Sequence, residues 1–148
     1  RSSSCKIVVV RLSNVYGPGC SEGSVIGTIV KQANELGSIQ VRSFRPIRDF
    51  IHVRDVAKAL LCIASCKEVE KYSIYNISSA YPMSIGDLVR KASALWSIPY
   101  KAPIELEKKD KDSCLVLDNS KARDTLSWLP QVPIDAGLLD IMQGGGKL

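Results

Sequence analysis

Lys6-Ile-Val-Val-Val-Arg-Leu12, running into Ser13-Asn14-Val15-Tyr16-Gly17-Pro18-Gly19, is the stretch that decides the fold. Its first part is an unbroken, mostly β-branched run, the pattern of a strand buried on both faces in a parallel sheet. Its second part is rich in turn formers, so the strand is expected to end in a loop at its carboxyl edge. In open α/β sheets that edge is where ligands sit.

Beyond the loop, Val25, Ile26, Ile29, Val30, Ala33 and Leu36 recur at helical spacing, and Gly37 is placed as a C-terminal stop. The spacing predicts an amphipathic helix over about 23–36. A short strand is expected around 39–42. Arg48-Asp49-Phe50-Ile51-His52-Val53 follows, with Asp55 as the expected N-cap of a helix whose apolar stripe is Val56, Ala59, Leu60 and Ile63. Tyr72 to Ile77 reads as a further strand. Ser84 with Asp87 three residues on resembles a capping box, and Ile85, Leu88, Val89, Ala92, Leu95 and Trp96 supply the helix behind it. Two short helices are expected near Ser120 to Leu126 and Ile134 to Met142, with Pro130 and Pro133 between them; Gly144-Gly145-Gly146 reads as a flexible tail. The alternation of strand and helix predicts an α/β fold.

The 148 residues suffice for one domain with a core, and 45% apolar with 24% charged residues excludes a disordered or collagenous chain. No apolar stretch approaches the roughly 18 residues of a membrane helix, and a cytoplasmic protein away from membranes is expected. Five cysteines, Cys5, Cys20, Cys62, Cys66 and Cys114, are odd in number and contain no C-x-x-C pair, so reduced thiols are expected rather than a disulfide framework or zinc module. Cys62 and Cys66 read as buried, space-filling thiols on one helix face.

The net charge of +5 permits a nucleic-acid partner. Its distribution argues otherwise, because residues 42 to 58 alone carry +3 through Arg42, Arg45, Arg48, Arg54 and Lys58 against Asp49 and Asp55. One compact anion-attracting site is expected, and no nucleic-acid recognition motif accompanies it. Gly17-Pro18-Gly19 does not extend to a dinucleotide fingerprint, since Glu22 stands where the third glycine belongs; a substrate-contacting loop or a plain turn remains. His52, the single histidine, reads as a packed, hydrogen-bonded core residue and not as part of a hydrolytic triad or metal site. Arg48 stands out chemically: its planar guanidinium either grips phosphate oxygens bidentately or pairs with Asp49 or Asp55.

Four blocks now stand in order: Arg11 through Gly19, Arg48 through Ala57, Tyr75-Asn76-Ile77, and Asp118-Asn119-Ser120-Lys121-Ala122. Together they resemble the carboxyl-terminal half of the NAD-dependent epimerase/dehydratase family, extended short-chain dehydrogenases that modify nucleotide sugars. The resemblance covers about residues 6 to 142.

It implies the carboxyl-terminal part of a Rossmann-like doubly wound parallel sheet plus a small α/β substrate-binding domain. The single fragment 1–148 is then expected to interleave Rossmann strands at about 6–16 and 72–97 with substrate-binding segments at about 17–71 and 98–142, leaving 143–148 as tail. The resemblance assigns Arg48 to the nucleotide pyrophosphate and Asn14 to the sugar nucleotide. Val25 and Ile26 fall at the start of the helix that packs on the base, and Ser13 and Tyr16 line the cofactor and substrate cleft. Where the family carries Arg-x-Gly-Asp this sequence has Lys108-Lys109-Asp110-Lys111-Asp112, with Lys108 as the point-charge replacement; Ser78 stands where a glycine follows Tyr-Asn-Ile.

No Tyr-x-x-x-Lys and no glycine-rich loop occur in these residues. The resemblance therefore implies the substrate-binding half of an NAD- or NADP-dependent, homodimeric nucleotide-sugar enzyme, a half not expected to catalyse alone. Epimerase, dehydratase, reductase and decarboxylase members share these blocks. The rival reading is a non-catalytic binding or interaction module derived from the same fold.

Overall fold

The computed structural model describes residues 5–104 and 113–144. β1 (Ile7–Leu12) and β2 (Asn14–Tyr16) form one extended path that changes partner at Ser13. α1 (Val25–Leu36) follows, then β3 (Ile47–His52), α2 (Val53–Ser65), β4 (Tyr72–Ile77), β5 (Pro82–Ser84), α3 (Ile85–Trp96), β6 (Cys114–Leu115), α4 (Ser120–Leu126) and α5 (Ile134–Gly144).

β1 pairs in parallel with β4, from Ile7 opposite Tyr72 to Leu12 opposite Ile77. After Ser13 the chain leaves β4 and β2 pairs in parallel with β3, Asn14 opposite Phe50 and Tyr16 opposite His52. β3 also takes β5 antiparallel and β6 parallel, so Ile47 and Arg48 are held by two segments distant in sequence. This α/β arrangement follows from parallel strands whose connections need helices.

Two cores result. Ile26 and Ile29 of α1 meet Leu88 and Val89 of α3 and Leu138 and Ile141 of α5 in one. Ile51, Val56, Ala59, Tyr75, Ile77, Ala122, Leu126 and Trp128 form the other, with Val8 and Val10 of β1 packed against it. Trp128 is tied in by its indole N–H, which donates to the Asp55 carbonyl at 3.2 Å.

Caps set the boundaries of α1 and the start of α3. Ser24 accepts from the Gly27 amide at the start of α1, and Gly37 ends that helix at φ +59°, where glycine adopts the left-handed region without a Cβ penalty. Ser84 caps α3 by accepting from the Asp87 amide, as the capping pattern predicts.

Five expectations are corrected. The β1 run is not buried on both faces: Val8 and Val10 pack inward, whereas Ile7, Val9 and Leu12 are 58%, 37% and 46% exposed. A continuous apolar run does not say which face finds a partner. The segment 39–42 forms only one isolated bridge, Ile39 to Tyr100, in place of a strand. His52, not Asp55, is the N-cap of α2, because β3 extends through His52 and the helix begins at once. Asp55 lies in the first turn, fully buried, its carboxylate accepting from the Val132 amide at 2.9 Å. Cys62 and Cys66 are half-buried at the margin of the second core. Gly144 belongs to α5, and the rest of the expected tail lies outside the described residues. Among the described residues no helix is long and apolar enough to cross a membrane, and no group of three His, Cys, Asp or Glu side chains could hold a metal ion.

Candidate functional site

A groove of about 670 Å³ runs between the amino-terminal half of α1, the segment 40–46, the start of β3 and the start of α3. Val25, Thr28 and Gln32 line it at helical spacing, so one face of α1 forms a wall. Val41, Ile85 and Ile104 add apolar surface, while Arg42 and Arg48 bring positive charge. A largely apolar cleft with a few convergent polar groups is the general form of a small-molecule site.

Arg48 is half-buried and directed rather than free to roam. Its Nη1 donates to the carbonyls of Ile47 and Ser113 at 2.8 and 2.9 Å, and its Nη2 donates to the Ser113 hydroxyl at 2.9 Å. Three of the five guanidinium N–H donors are thereby used, leaving Nε and one Nη2 hydrogen among the described contacts. Neither Asp49 nor Asp55 pairs with it. Asp49 instead accepts from Ser79, Ala80 and Leu117, and Asp55 from Val132. The arginine keeps its charge toward the groove, where an anion of matching fork geometry can be gripped.

Gln40 joins the groove walls. Its amide donates to the Gln32 side-chain oxygen at 2.7 Å and its own Nε2 donates to the Ala102 carbonyl at 3.2 Å.

On the neighbouring strand, Asn14 is exposed and its Nδ2 donates to the Asp49 carbonyl at 2.9 Å. The β2–β3 register sets it opposite Phe50, two residues along β3 from Arg48. Ser13, at the strand switch, has a buried hydroxyl with no partner among the described residues. Tyr16 is buried, with its ring edge-on to His52 at 5.2 Å. Burial, then the charges of Asp55, Asp135 and Asp140, push its hydroxyl well above the usual phenol range.

The model for the NAD dependent epimerase/dehydratase family matches residues 1–78, more than half of the sequence. The chain belongs to that family. Its similarity extends to a dTDP-4-dehydro-6-deoxy-D-allose reductase of Streptomyces sp, 30% identical over 137 residues that make up 89% of this chain and 41% of that protein. CDP-abequose synthase of Salmonella typhimurium is 29% identical across 92% of this chain and 47% of its own length. Among solved structures, RMD from Pseudomonas aeruginosa complexed with NADPH superposes with a TM-score of 0.80 at 22% identity, covering 94% of this chain and 48% of that one. UDP-glucose 4-epimerase from Bifidobacterium longum in complex with NAD+ and UDP gives 0.76 at 21% identity, covering 97% and 48%. The shared fold is thus Rossmann-like, and the chain spans less than half the length of these epimerase/dehydratase relatives.

Within this family member the residues singled out from sequence fall in three places. Arg48 and Val25 line the groove together. Asn14 and Ser13 lie on the adjoining strand path, and Tyr16 is enclosed behind them. Ile26 is 1% exposed in the core and does not line the groove. Lys108 lies outside the described residues, although the flanking Ile104 and Ser113 both line the groove. Thr28, Gln32 and Gln40 also line the groove without a role in the sequence reading, the signal for the first two being their i+3 and i+7 spacing from Val25 on one helix face, whereas Arg42 belongs to the basic segment already noted.

Gly17-Pro18-Gly19 does not form a phosphate cradle. The Gly17 backbone lies against Val53, where an added Cβ would sit 2.6 Å from its Cγ1, while Gly19 faces open space at φ +78°. At the strand switch beside this turn, the buried Ser13 hydroxyl is a polar group that no other described residue satisfies.

Proposed function

We propose that this chain is the substrate-binding half of an NAD(P)-dependent enzyme that epimerises, dehydrates or reduces a nucleotide sugar. The observation that carries the reading is Arg48, half-buried at one end of the groove and oriented by Ser113 with donors still to give. In this reading its guanidinium holds the pyrophosphate. The α1 face of Val25, Thr28 and Gln32 takes the nucleoside, and Asn14 lies toward the sugar. Ile26 acts behind that face as the packing that fixes α1, and Lys108 adds a second cation beside the phosphates. Ser13 and Tyr16 belong to the cofactor side, Ser13 through its unpaired hydroxyl and Tyr16 as the buried support of the loop.

NAD(P), when bound by the complete homodimeric enzyme, supplies the hydride exchange at the sugar carbon. The groups in this chain bind and orient; the acid/base pair and the glycine-rich loop belong to the rest of the enzyme, so this half alone is inactive. Cytoplasmic residence accords with nucleotide-sugar chemistry among reduced thiols.

Calorimetric titration with UDP-glucose and dTDP-glucose tests the assignment. Arg48→Ala is expected to weaken binding about 10- to 100-fold, the loss of a charge-assisted phosphate contact of about 1.5–3 kcal/mol. Equal affinity in wild type and variant would show that the groove does not hold a pyrophosphate through Arg48.

A further inference from the structure

The carboxyl-terminal helix reaches back across the molecule to β2, which carries Asn14, and to the turn behind it. Three positions on one face of α5 make the approach. Gly137 lies against the Tyr16 ring so closely that a Cβ there would collide with the phenol, and Gly144 lies against Pro18, where a Cβ would sit 3.3 Å from its nearest atom. Asp140 stands between them and faces His52, its Oδ2 3.3 Å from the imidazole Nε2. The spacing of 137, 140 and 144 keeps all three within one side of a helix.

His52 is itself fixed from two directions. Its Nδ1 accepts the Arg54 amide at 3.3 Å, as the N-cap of α2, which leaves the hydrogen of the neutral ring on Nε2, toward Asp140. The other Asp140 oxygen accepts from the Arg54 guanidinium at 2.9 Å. Gly17 closes the arrangement, since a Cβ at that position would lie 3.3 Å from Nε2. The facing atoms Nε2 and Oδ2 are buried, in contact but off the alignment of a hydrogen bond, and neither has another partner among the described residues.

We propose that His52 and Asp140 form a latch by which α5 holds β2 and the Gly17–Gly19 turn behind it in their binding position, making both of them positioning residues. No reacting group needs to touch either side chain. The latch acts through Tyr16, whose ring is packed between the imidazole and Gly137, and through the backbone of Gly17 beside Nε2. A buried polar pair of this kind favours one arrangement, because Nε2 and Oδ2 have only each other within reach among the described residues. The role assigned to the loop rests on the proposed function; the latch itself does not.

Asp140 on α5, Arg54 and Asp55 on α2 and the Tyr16 hydroxyl are the charged or titratable groups about the imidazole. Desolvation lowers the His52 pKa, and Asp140 opposes that shift.

The test uses the full chain, whose single histidine gives one set of imidazole signals. Long-range proton–nitrogen correlation spectra are expected to show Nδ1 unprotonated in the neutral ring. Asp140→Asn is expected to move the His52 pKa further down and to speed amide exchange of Val15, Tyr16, Gly17, Gly19 and Cys20 by about ten-fold or more, with α4 unaffected. Asp140→Glu, which keeps the anion at a changed reach, is expected to fall between the two in both readouts. Wild-type titration and wild-type loop exchange in either folded variant overturn the latch, as does a neutral ring protonated on Nδ1. UDP-glucose binding is measured separately on wild type: its absence counts against the proposed function, while the histidine titration still decides the latch.

Discussion

The Ser79 amide and hydroxyl both donate to Asp49 Oδ1, at 3.0 and 2.7 Å, so a loop residue after β4 is clamped onto the middle of β3. Asp49 Oδ2 completes the clamp by accepting from the amides of Ala80 and Leu117 at 3.2 and 3.3 Å. The carboxylate is fully buried, and its neighbour Arg48 turns toward the groove as strand alternation requires. A charge that looked available for Arg48 instead binds together the segments that frame it.

Removing that carboxylate leaves buried donors without an acceptor. Asp49→Ala is expected to cost about 3–5 kcal/mol, and Asp49→Asn less, since one amide oxygen still accepts. Urea denaturation measures both; a loss below about 1 kcal/mol for the alanine variant contradicts the clamp.

The Ser84 cap makes a second, pH-dependent prediction. Ser84 Oγ accepts the Asp87 amide at 3.0 Å and donates to Asp87 Oδ2 at 2.6 Å, and Arg90 pairs with Oδ1 at 2.7 Å. The Ser84 contact first, and Arg90 second, hold the Asp87 pKa below its ordinary value of 3.8. A depressed carboxylate stabilises the fold above its unfolded pKa and loses that contribution as the pH falls through the folded value. Ser84→Ala is therefore expected to cost about 1 kcal/mol near neutral pH. The deficit should shrink as the pH falls through the folded value of Asp87, where the carboxyl becomes protonated in both proteins. Denaturation midpoints across pH 2–7 provide the check.

Gly27 is required for space and not for conformation. A Cβ there would collide with the Ser21 carbonyl and come 2.9 Å from Glu22 Cα, all backbone and unable to swing aside. Gly27→Ala is expected to destabilise by about 1–3 kcal/mol despite the better helix propensity of alanine. Thermal melting measures it, and a variant more stable than wild type refutes the packing.

Much of this molecule was legible as local pattern. The spacing of Val25 to Leu36, Gly37 behind it, and Ser84 with Asp87 each act within about one to three helical turns, so short-range physics decides them. Arg48 was legible as chemistry, through a guanidinium in a segment of excess positive charge. The groove partner Ser113 was not, because it meets Arg48 only after distant segments converge, and Gln40 was not, because its amide meets Gln32 only once the chain turns back after α1.

The amino-acid sequence by itself determined the α/β alternation, the Gly37 and Ser84 caps and the family, since periodicity and ordered motifs are properties of neighbours along the chain. Tertiary structure alone decided which face of β1 is covered, that His52 and not Asp55 caps α2, and that Asp49 serves Ser79 and leaves Arg48 to the groove. These outcomes depend on where a strand ends and which donor a buried acceptor meets. The physical reason is desolvation: once burial removes water, each polar group takes the partner that packing brings to it.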